Sequence, residues 1–463
     1  MTVKAVPFII CLGLFYGCNV RMYFSGVAQK SKTFAKDLHT QSYPQKNTGP
    51  PDPTADQSSG KARIYVDGSL SMKGYVTGNS EARTKYDHFI DKLANALPGA
   101  NIFKFGSRGT DPRLIVTTAS FDRSSHGPEF YNFDFNPDDL LIRQINSEEK
   151  PPLSIILTDG VHSDPPAQGT YPVVDAIQQS LEKGSTIGIL SLKSSFNGPF
   201  YSELRRGWLP GNVKVSARPF YAFVVSPTTK EFDELCEKLK RDFPELQVIL
   251  FSDDAVKYET HPSRNSISPF ATTDLSPPQA YWHMFGSNIF GSSSSAFVFY
   301  ELTYRFDQRY PLKELSFNAN SNYYSWDGKD FRGNRTTPPS GFFCDVQPGQ
   351  IVSTVGPSAS PSETSSPSLS ARQAPTRQVT VVRLNLVKDT RTEYGFYQIS
   401  IDTWPRFLRD DIAELSTEDD SDVKNADKTY KLSDLLMALS DVHIKNNLRN
   451  KISPAIYLTV ANK

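Results

Sequence analysis

Two short motifs carry the residues most able to do chemistry. Asp67-Gly68-Ser69-Leu70-Ser71 sets one carboxylate beside two hydroxyls, and Thr158-Asp159-Gly160 supplies a second acid far along the chain. Two hydroxyls and two carboxylates on converging loops form a set of hard oxygen donors. Mg²⁺ is held by such donors at about 2.1 Å in an octahedron and keeps part of its water. Asp67, Ser69, Ser71 and Asp159 are therefore the candidate metal ligands, with Mg²⁺ the expected ion and Mn²⁺ or Ca²⁺ also compatible. Taken alone, Asp-Gly-Ser is also a common turn, in which Asp and Ser bond the local backbone.

The elements around both motifs favour the metal reading. Residues 63–67 are a short apolar run ending in Asp67, and residues 153–157 a second one running into Thr158-Asp159. Further strand-like runs cover 101–105, 114–118, 186–191, 221–225 and 248–251. Between them, apolar residues recur at helical spacing: Phe89, Ile90 and Leu93; Leu140, Leu141 and Ile145; Val173, Val174, Ile177 and Leu181; Phe232, Leu235, Cys236 and Leu239. Asn136-Pro137-Asp138 reads as the cap of the second helix. Alternation of this kind predicts an α/β domain over 61–255, a doubly wound, mostly parallel sheet with helices on both faces. Ligands of such sheets bind in the crevice beyond the carboxyl ends of the strands. Both motifs belong on that rim.

At this point the chain resembles the von Willebrand factor A-like family over about 62–255, with both motifs in order and in the matching strand contexts. The resemblance implies that Ser69 and Ser71 bind the metal directly, while Asp67 and Asp159 hold ordered water and balance charge. It also implies a binding role, with a partner's carboxylate completing the coordination sphere. The family usually adds a Thr from a loop between the two motifs, and this chain has no clear equivalent. Ser124, Ser125 and Glu129 stand about where that loop belongs, with Thr117 and Thr118 as further substitutes.

Beyond 256 the helical alternation stops. Runs rich in aromatic and β-branched residues predict a β-rich, sandwich-like domain over 256–463, with one late helix around 432–440. Ser and Pro dominate 356–371, so 355–378 is expected to be a disordered insertion. Residues 418–422, Glu-Asp-Asp-Ser-Asp, are an acidic run that reads as a solvated loop before it reads as a calcium site. Trp326 to Asn334 is turn-rich and reads as a hairpin loop, and Asn334-Arg335-Thr336 matches a glycosylation acceptor.

The N-terminus reads as an export signal. Lys4 precedes an uncharged stretch over 5–17, shorter than the roughly 20 residues of a membrane-spanning helix. It ends at Gly17-Cys18, which resembles a lipoprotein signal over 1–18, although Phe15 and Tyr16 are bulkier than that pattern. Cleavage at Gly26-Val27-Ala28 is the alternative. Residues 19–60 are polar and Pro-rich, in keeping with a flexible tether. The expected location is the cell envelope, periplasmic or as a surface lipoprotein, or else the medium outside the cell. The 50 basic and 50 acidic side chains cancel, which argues against a dedicated nucleic-acid binder.

Two cysteines fall outside the signal. Cys236 reads as a buried thiol on its helix, and pairing with Cys344 is the less favoured reading. His88, His126 and His162 are scattered, and no Ser/His/Asp arrangement is apparent. The expectation is a non-catalytic binding protein that uses its metal to engage an acidic side chain of a protein partner. An envelope scaffold with a degenerate metal site and a metal-dependent phosphoesterase are the alternatives.

Overall fold

The computed structural model describes residues 61–76, 84–109, 113–119, 127–160 and 171–262. Beyond these it describes 271–272, 279–285, 296–324, 342–347, 351–353, 377–388, 395–448 and 455–461. The export signal, the tether, Ser124, Ser125, His126, His162, the 326–336 segment and most of the Ser/Pro-rich insertion lie outside the described residues. Arg377 and Gln378, assigned to that insertion from sequence, already belong to a strand.

Seven strands build the sheet that carries both motifs, in the order β3-β2-β1-β4-β6-β5-β7. They are β1 (Arg63–Asp67), β2 (Asn101–Gly106), β3 (Ile115–Thr118), β4 (Ser154–Thr158), β5 (Thr186–Ser202), β6 (Gly207–Ser226) and β7 (Gln247–Phe251). β1 lies centrally and pairs in parallel with β2 and β4. The remaining pairings, β2–β3, β4–β6, β6–β5 and β5–β7, are antiparallel. Hence β1, β2, β4 and β5 run one way and β3, β6 and β7 the other. The class is α/β with a mixed sheet.

The mixing comes from a hairpin that the sequence reading passed over as loop. β5 runs on past Ser191, and β6 folds back along it and inserts beside β4. Beyond Leu192 the side chains of β5 alternate strictly between buried and half-buried, with Ser194, Phe196, Phe200 and Ser202 inward. That is the period-2 signal of a strand, but Asn197, Gly198 and Pro199 interrupt it with poor strand formers. The register shifts between Ser194 and Phe196 and again between Pro199 and Tyr201, as bulges absorb the irregular residues. Gly198 is needed where it stands, because a Cβ there would lie 2.4 Å from the Cα of Gly74. The 3-10 turn Leu70–Tyr75, which follows the first motif, thus packs directly on β5.

Alternate residues of each strand enter opposite layers. Ile64, Val66, Ile155, Leu157 and Val224 meet α1 (Lys85–Ala96), with Phe89, Ile90 and Leu93, and the helix Thr229–Asp242, with Phe232, Leu235 and Cys236. Cys236 is a buried free thiol. On the other face Tyr65, Ile156, Ile189 and Phe223 meet α2 (Asp138–Asn146) and α3 (Pro172–Glu182). Numbering in chain order makes Thr229–Asp242 helix α4.

This second face gains a further layer from far along the chain. The short helix α5 (Asp410–Ala413), α6 (Leu432–His443) and the π-turn Ile444–Leu448 add Ile412, Leu432, Leu435, Leu436, Leu439 and Leu448 to the same core. Gln178 of α3 donates to Asn447 at 3.0 Å, and the Tyr221 and Thr429 hydroxyls are 2.9 Å apart. Residues 409–448, counted from sequence with the β-rich part, therefore pack on the α/β sheet.

The rest of 256–461 is β-rich, as expected. β8 (Val256–Pro262), β11 (Ala296–Asp307), β13 (Phe342–Gln347) and β15 (Arg377–Lys388) form one sheet, with β14 (Ile351–Ser353) also on β15. β9 (Ala271–Thr272), β10 (Gln279–Phe285), β12 (Leu312–Tyr324), β16 (Gly395–Leu408) and β19 (Ala455–Ala461) form another. β17 (Ser416–Thr417) and β18 (Thr429–Tyr430) pair separately. Among the described residues, no helix is long and apolar enough to cross a membrane.

Leu436 is fully buried in the shared core, and Leu→Ala at such a site costs about 2–5 kcal/mol. Leu436→Ala should therefore lower hydrogen-exchange protection in β4 and β6, although it lies more than 200 residues further along the chain. Unchanged protection there would contradict the joint packing.

Candidate metal centre

Asp67 ends β1 in the middle of the sheet, and the next four residues leave the rim as a tight loop. Three backbone bonds hold that loop. The Gly68 amide donates to the Phe105 carbonyl at 2.9 Å, Phe133 N to Gly68 O at 2.9 Å, and Leu70 N to Phe133 O at 3.0 Å. Within the loop the Ser69 amide donates to Asp67 Oδ1 at 2.8 Å, and the hydroxyls of Ser69 and Ser71 lie 3.0 Å apart. β4 ends beside β1 and delivers Thr158-Asp159-Gly160 to the same rim. Gly160 has φ +71, a left-handed conformation that glycine adopts without steric cost.

All four expected residues are brought together. Asp67, Ser69, Ser71 and Asp159 are buried, and the negative charges of Asp159 and Asp138 both act on Asp67. Thr158, named in its motif but not as a site residue, bridges the two loops. Its hydroxyl donates to Asp67 Oδ2 at 3.3 Å and accepts from the Gly160 amide at 3.1 Å and from Asn136 Nδ2 at 2.6 Å.

Asn136 and Asp138 were read from sequence only as a helix cap. Asp138 is the first residue of α2, but Pro137 stands at the cap position with no side-chain cap bond, and Asn136 turns to the centre instead. Asn136 lines the cleft beside Ser69 and Ser71, and its buried Oδ1 has no hydrogen-bond partner. It is the described residue between the two motifs that reaches Thr158 from the intervening loop. Of the substitutes named from sequence, Ser124 and Ser125 lie outside the described residues, Thr117 and Thr118 are exposed on the edge strand β3, and Glu129 is exposed on the 3-10 turn Pro128–Phe130. A signal was present, since Asn136-Pro137-Asp138 places two oxygen-bearing side chains just before the helix that leads to β4. The capping reading absorbed it. His88 sits against the Phe243 ring on the far side of α1.

The electrostatics of the centre are set by burial and by neighbouring acids. Burial, then the charges of Asp159 and Asp138, push the Asp67 carboxyl up from 3.8 to about 8, against the pull of the Ser69 amide. Arg218 of β6, itself buried, places Nη2 3.4 Å from Asp159 Oδ2. Its guanidinium lies between Phe196 and Phe200, 4.9 and 4.4 Å from their centroids, and Nη1 donates to Ala426 O at 3.4 Å. Arg218 thus pairs with one of the acids that act on Asp67.

The donor set fits a hard divalent cation. Ser69 and Ser71 offer neutral oxygens, Asp67 and Asp159 supply charge, and the Asn136 Oδ1 is a further acceptor in need of a partner. Among the described residues, no group of three or more His, Cys, Asp or Glu side chains is arranged to hold a metal ion. The serine hydroxyls are what make this centre a candidate. No protein-family model, curated protein or solved structure matches the chain.

The raised Asp67 pKa has a signed consequence. Without a cation, the unfolded chain ionises Asp67 near pH 3.8, whereas the folded chain keeps its proton to about pH 8. Stability from this group is complete below pH 3.8 and falls as pH rises through that window. Asp67→Asn carries no such proton. In melts from pH 4 to 9 in a chelator, the variant should gain on the parent as pH rises, by roughly 5 °C or more at pH 8. A constant difference between the two proteins would contradict the buried-acid account.

Proposed function

We propose that this chain is an exported, non-catalytic binding protein of von Willebrand factor A-like type. In this reading a divalent cation, Mg²⁺ first and Mn²⁺ or Ca²⁺ as alternatives, is held by Asp67, Ser69, Ser71 and Asp159. A carboxylate from a protein partner then completes the site. The observation that carries it is the hydroxyl pair of Ser69 and Ser71, 3.0 Å apart, opening on a cleft beside the buried carboxyl of Asp67, whose pKa is raised by burial and by Asp159. When bound, the cation would supply Lewis acidity and positive charge. The chain's own residues do the rest: Thr158 and the Ser69 amide fix the Asp67 carboxylate, and the bonds to Phe133 fix the loop.

The export signal, a tether over 19–60 and lipid attachment at Cys18 complete the proposal. They would place the centre outside the cytoplasm, with the β-rich part, packed as a sandwich, extending the binding surface. A second reading, an envelope scaffold with a degenerate centre, is favoured by one observation. Arg218 already stands against Asp159 and takes up part of the charge that a cation would balance.

Isothermal titration of the full chain with Mg²⁺ and with Mn²⁺ separates the two. The binding reading expects saturable uptake, weakened by roughly 10–100-fold or abolished in Ser69→Ala/Ser71→Ala while circular dichroism stays unchanged. No uptake by the parent, with the double variant equally folded, would leave the scaffold.

A further inference from the structure

Opposite the serines stands a wall built by the tip of the β5–β6 hairpin. Tyr201, Arg206 and Trp208 line a cleft of about 420 Å³ whose other side is Ser69, Ser71 and Asn136. Trp208 is 44% exposed and meets the Tyr201 ring edge-on at 5.3 Å, and Leu204 beside it is 49% exposed. Large apolar side chains left in water next to a polar cleft mark an interaction surface. Trp, Tyr and Arg are also the residues that dominate binding energy at protein interfaces.

The tip is held in place before anything binds. Asp420, from the acidic run that the sequence presents as solvated, is 3% exposed. Its carboxylate accepts from Ser202 Oγ at 2.9 Å, Glu203 N at 2.7 Å and Leu204 N at 3.1 Å. A buried carboxylate satisfied by three donors anchors a hairpin end firmly. The turn also holds Arg206 at φ 52, a left-handed conformation rarely adopted by residues other than glycine. Preorganisation of this kind reduces the ordering cost of binding.

We propose that the hairpin tip is the specificity-determining half of a binding site for an extended protein segment. That segment carries an acidic side chain followed closely by an aromatic or large aliphatic one. The acid enters the cleft between Arg206 and the two serines, where a guanidinium is the complementary charge. The apolar side chain covers Trp208 and Leu204. The cleft admits one or two side chains, and the exposed apolar surface continues outside it, which suits an extended segment better than a small free ligand. This deepens the proposed function and rests on it for the cation at the serines. The placement of Arg206, Trp208 and Asp420 does not depend on that cation.

The test is a peptide-display selection on the full chain in Mg²⁺, followed by fluorescence polarisation of a synthetic peptide carrying the enriched pattern. Enriched peptides should share an acid with an aromatic or large aliphatic residue within three positions. Arg206→Ala and Trp208→Ala, both at exposed positions, should each weaken binding by about tenfold or more, with Mg²⁺ uptake unchanged. Asp420→Asn should weaken it as well. Four results would overturn the proposal: no enrichment, enrichment without the acid-plus-apolar pair, binding indifferent to both tip substitutions, or a Trp208-dependent dimer of the chain itself. Mg²⁺ uptake with no peptide binding sinks this inference alone. Peptide binding through Arg206 and Trp208 that persists in chelator upholds it and sinks the cation reading.

Discussion

A carboxylate buried at the end of a central strand must keep its proton, find a cation, or be surrounded by donors. Asp67 accepts from the Ser69 amide, the Ser69 hydroxyl and the Thr158 hydroxyl, and its pKa is raised all the same. Two further buried acids act on it, and its proton is held to about pH 8. Removing a charge from water costs several kcal/mol even after relaxation, so a cluster of this kind persists only where something outside the apolar core repays it. Arg218 repays part, by way of Asp159. In the proposed function the Ser69 and Ser71 hydroxyls, on a loop braced by the backbone bonds to Phe133, would offset the rest through a divalent ion.

The same loop ties the rim to the hairpin. Gly74 and Gly198 meet almost backbone to backbone, so the turn after Ser71 and the body of β5 occupy one close-packed seam. β6 returns along that seam, bringing Arg218 to Asp159 on the way and carrying Arg206 and Trp208 at its start. Asp420 then closes the far end of the hairpin. Counter-ion and cleft wall are thus two parts of one antiparallel excursion that packs against the centre, anchored by a segment that joins from beyond residue 400. The mixed sheet is the consequence: an antiparallel strand stands beside β4, where a simple succession of strand-helix-strand units would place a parallel one.

Much of the first half of this arrangement was legible in the sequence. Residues 63–67 are short and apolar and end in an acid, and 153–157 run into Thr158-Asp159, so their strand character and the rim position of Asp67 and Asp159 follow from composition and topology. The helices showed themselves through residues such as Phe89, Ile90 and Leu93, whose spacing admits no strand. The hairpin was hidden because Asn197, Gly198 and Pro199 break up a period that only Phe196 and Phe200 sustain. Asn136 was hidden because it stands two residues before a helix and so reads as part of its cap, although its side chain bonds Thr158 instead. Asp420 was hidden by its neighbours: four polar residues around it read as solvent-facing, and only the hairpin brought from 200 residues away shows why one carboxylate is buried. Residues 432–440 announced a helix, but no local pattern tells which sheet a helix will cover.

The most direct test of the account is an anomalous-scattering map from a crystal of the full chain soaked in Mn²⁺. A peak coordinated by the Ser69 and Ser71 hydroxyls, with Asp67 and Asp159 around it, is the predicted result. A map with no peak at the rim, and Arg218 still against Asp159, would contradict it and show that the guanidinium is the centre's own and final counter-ion.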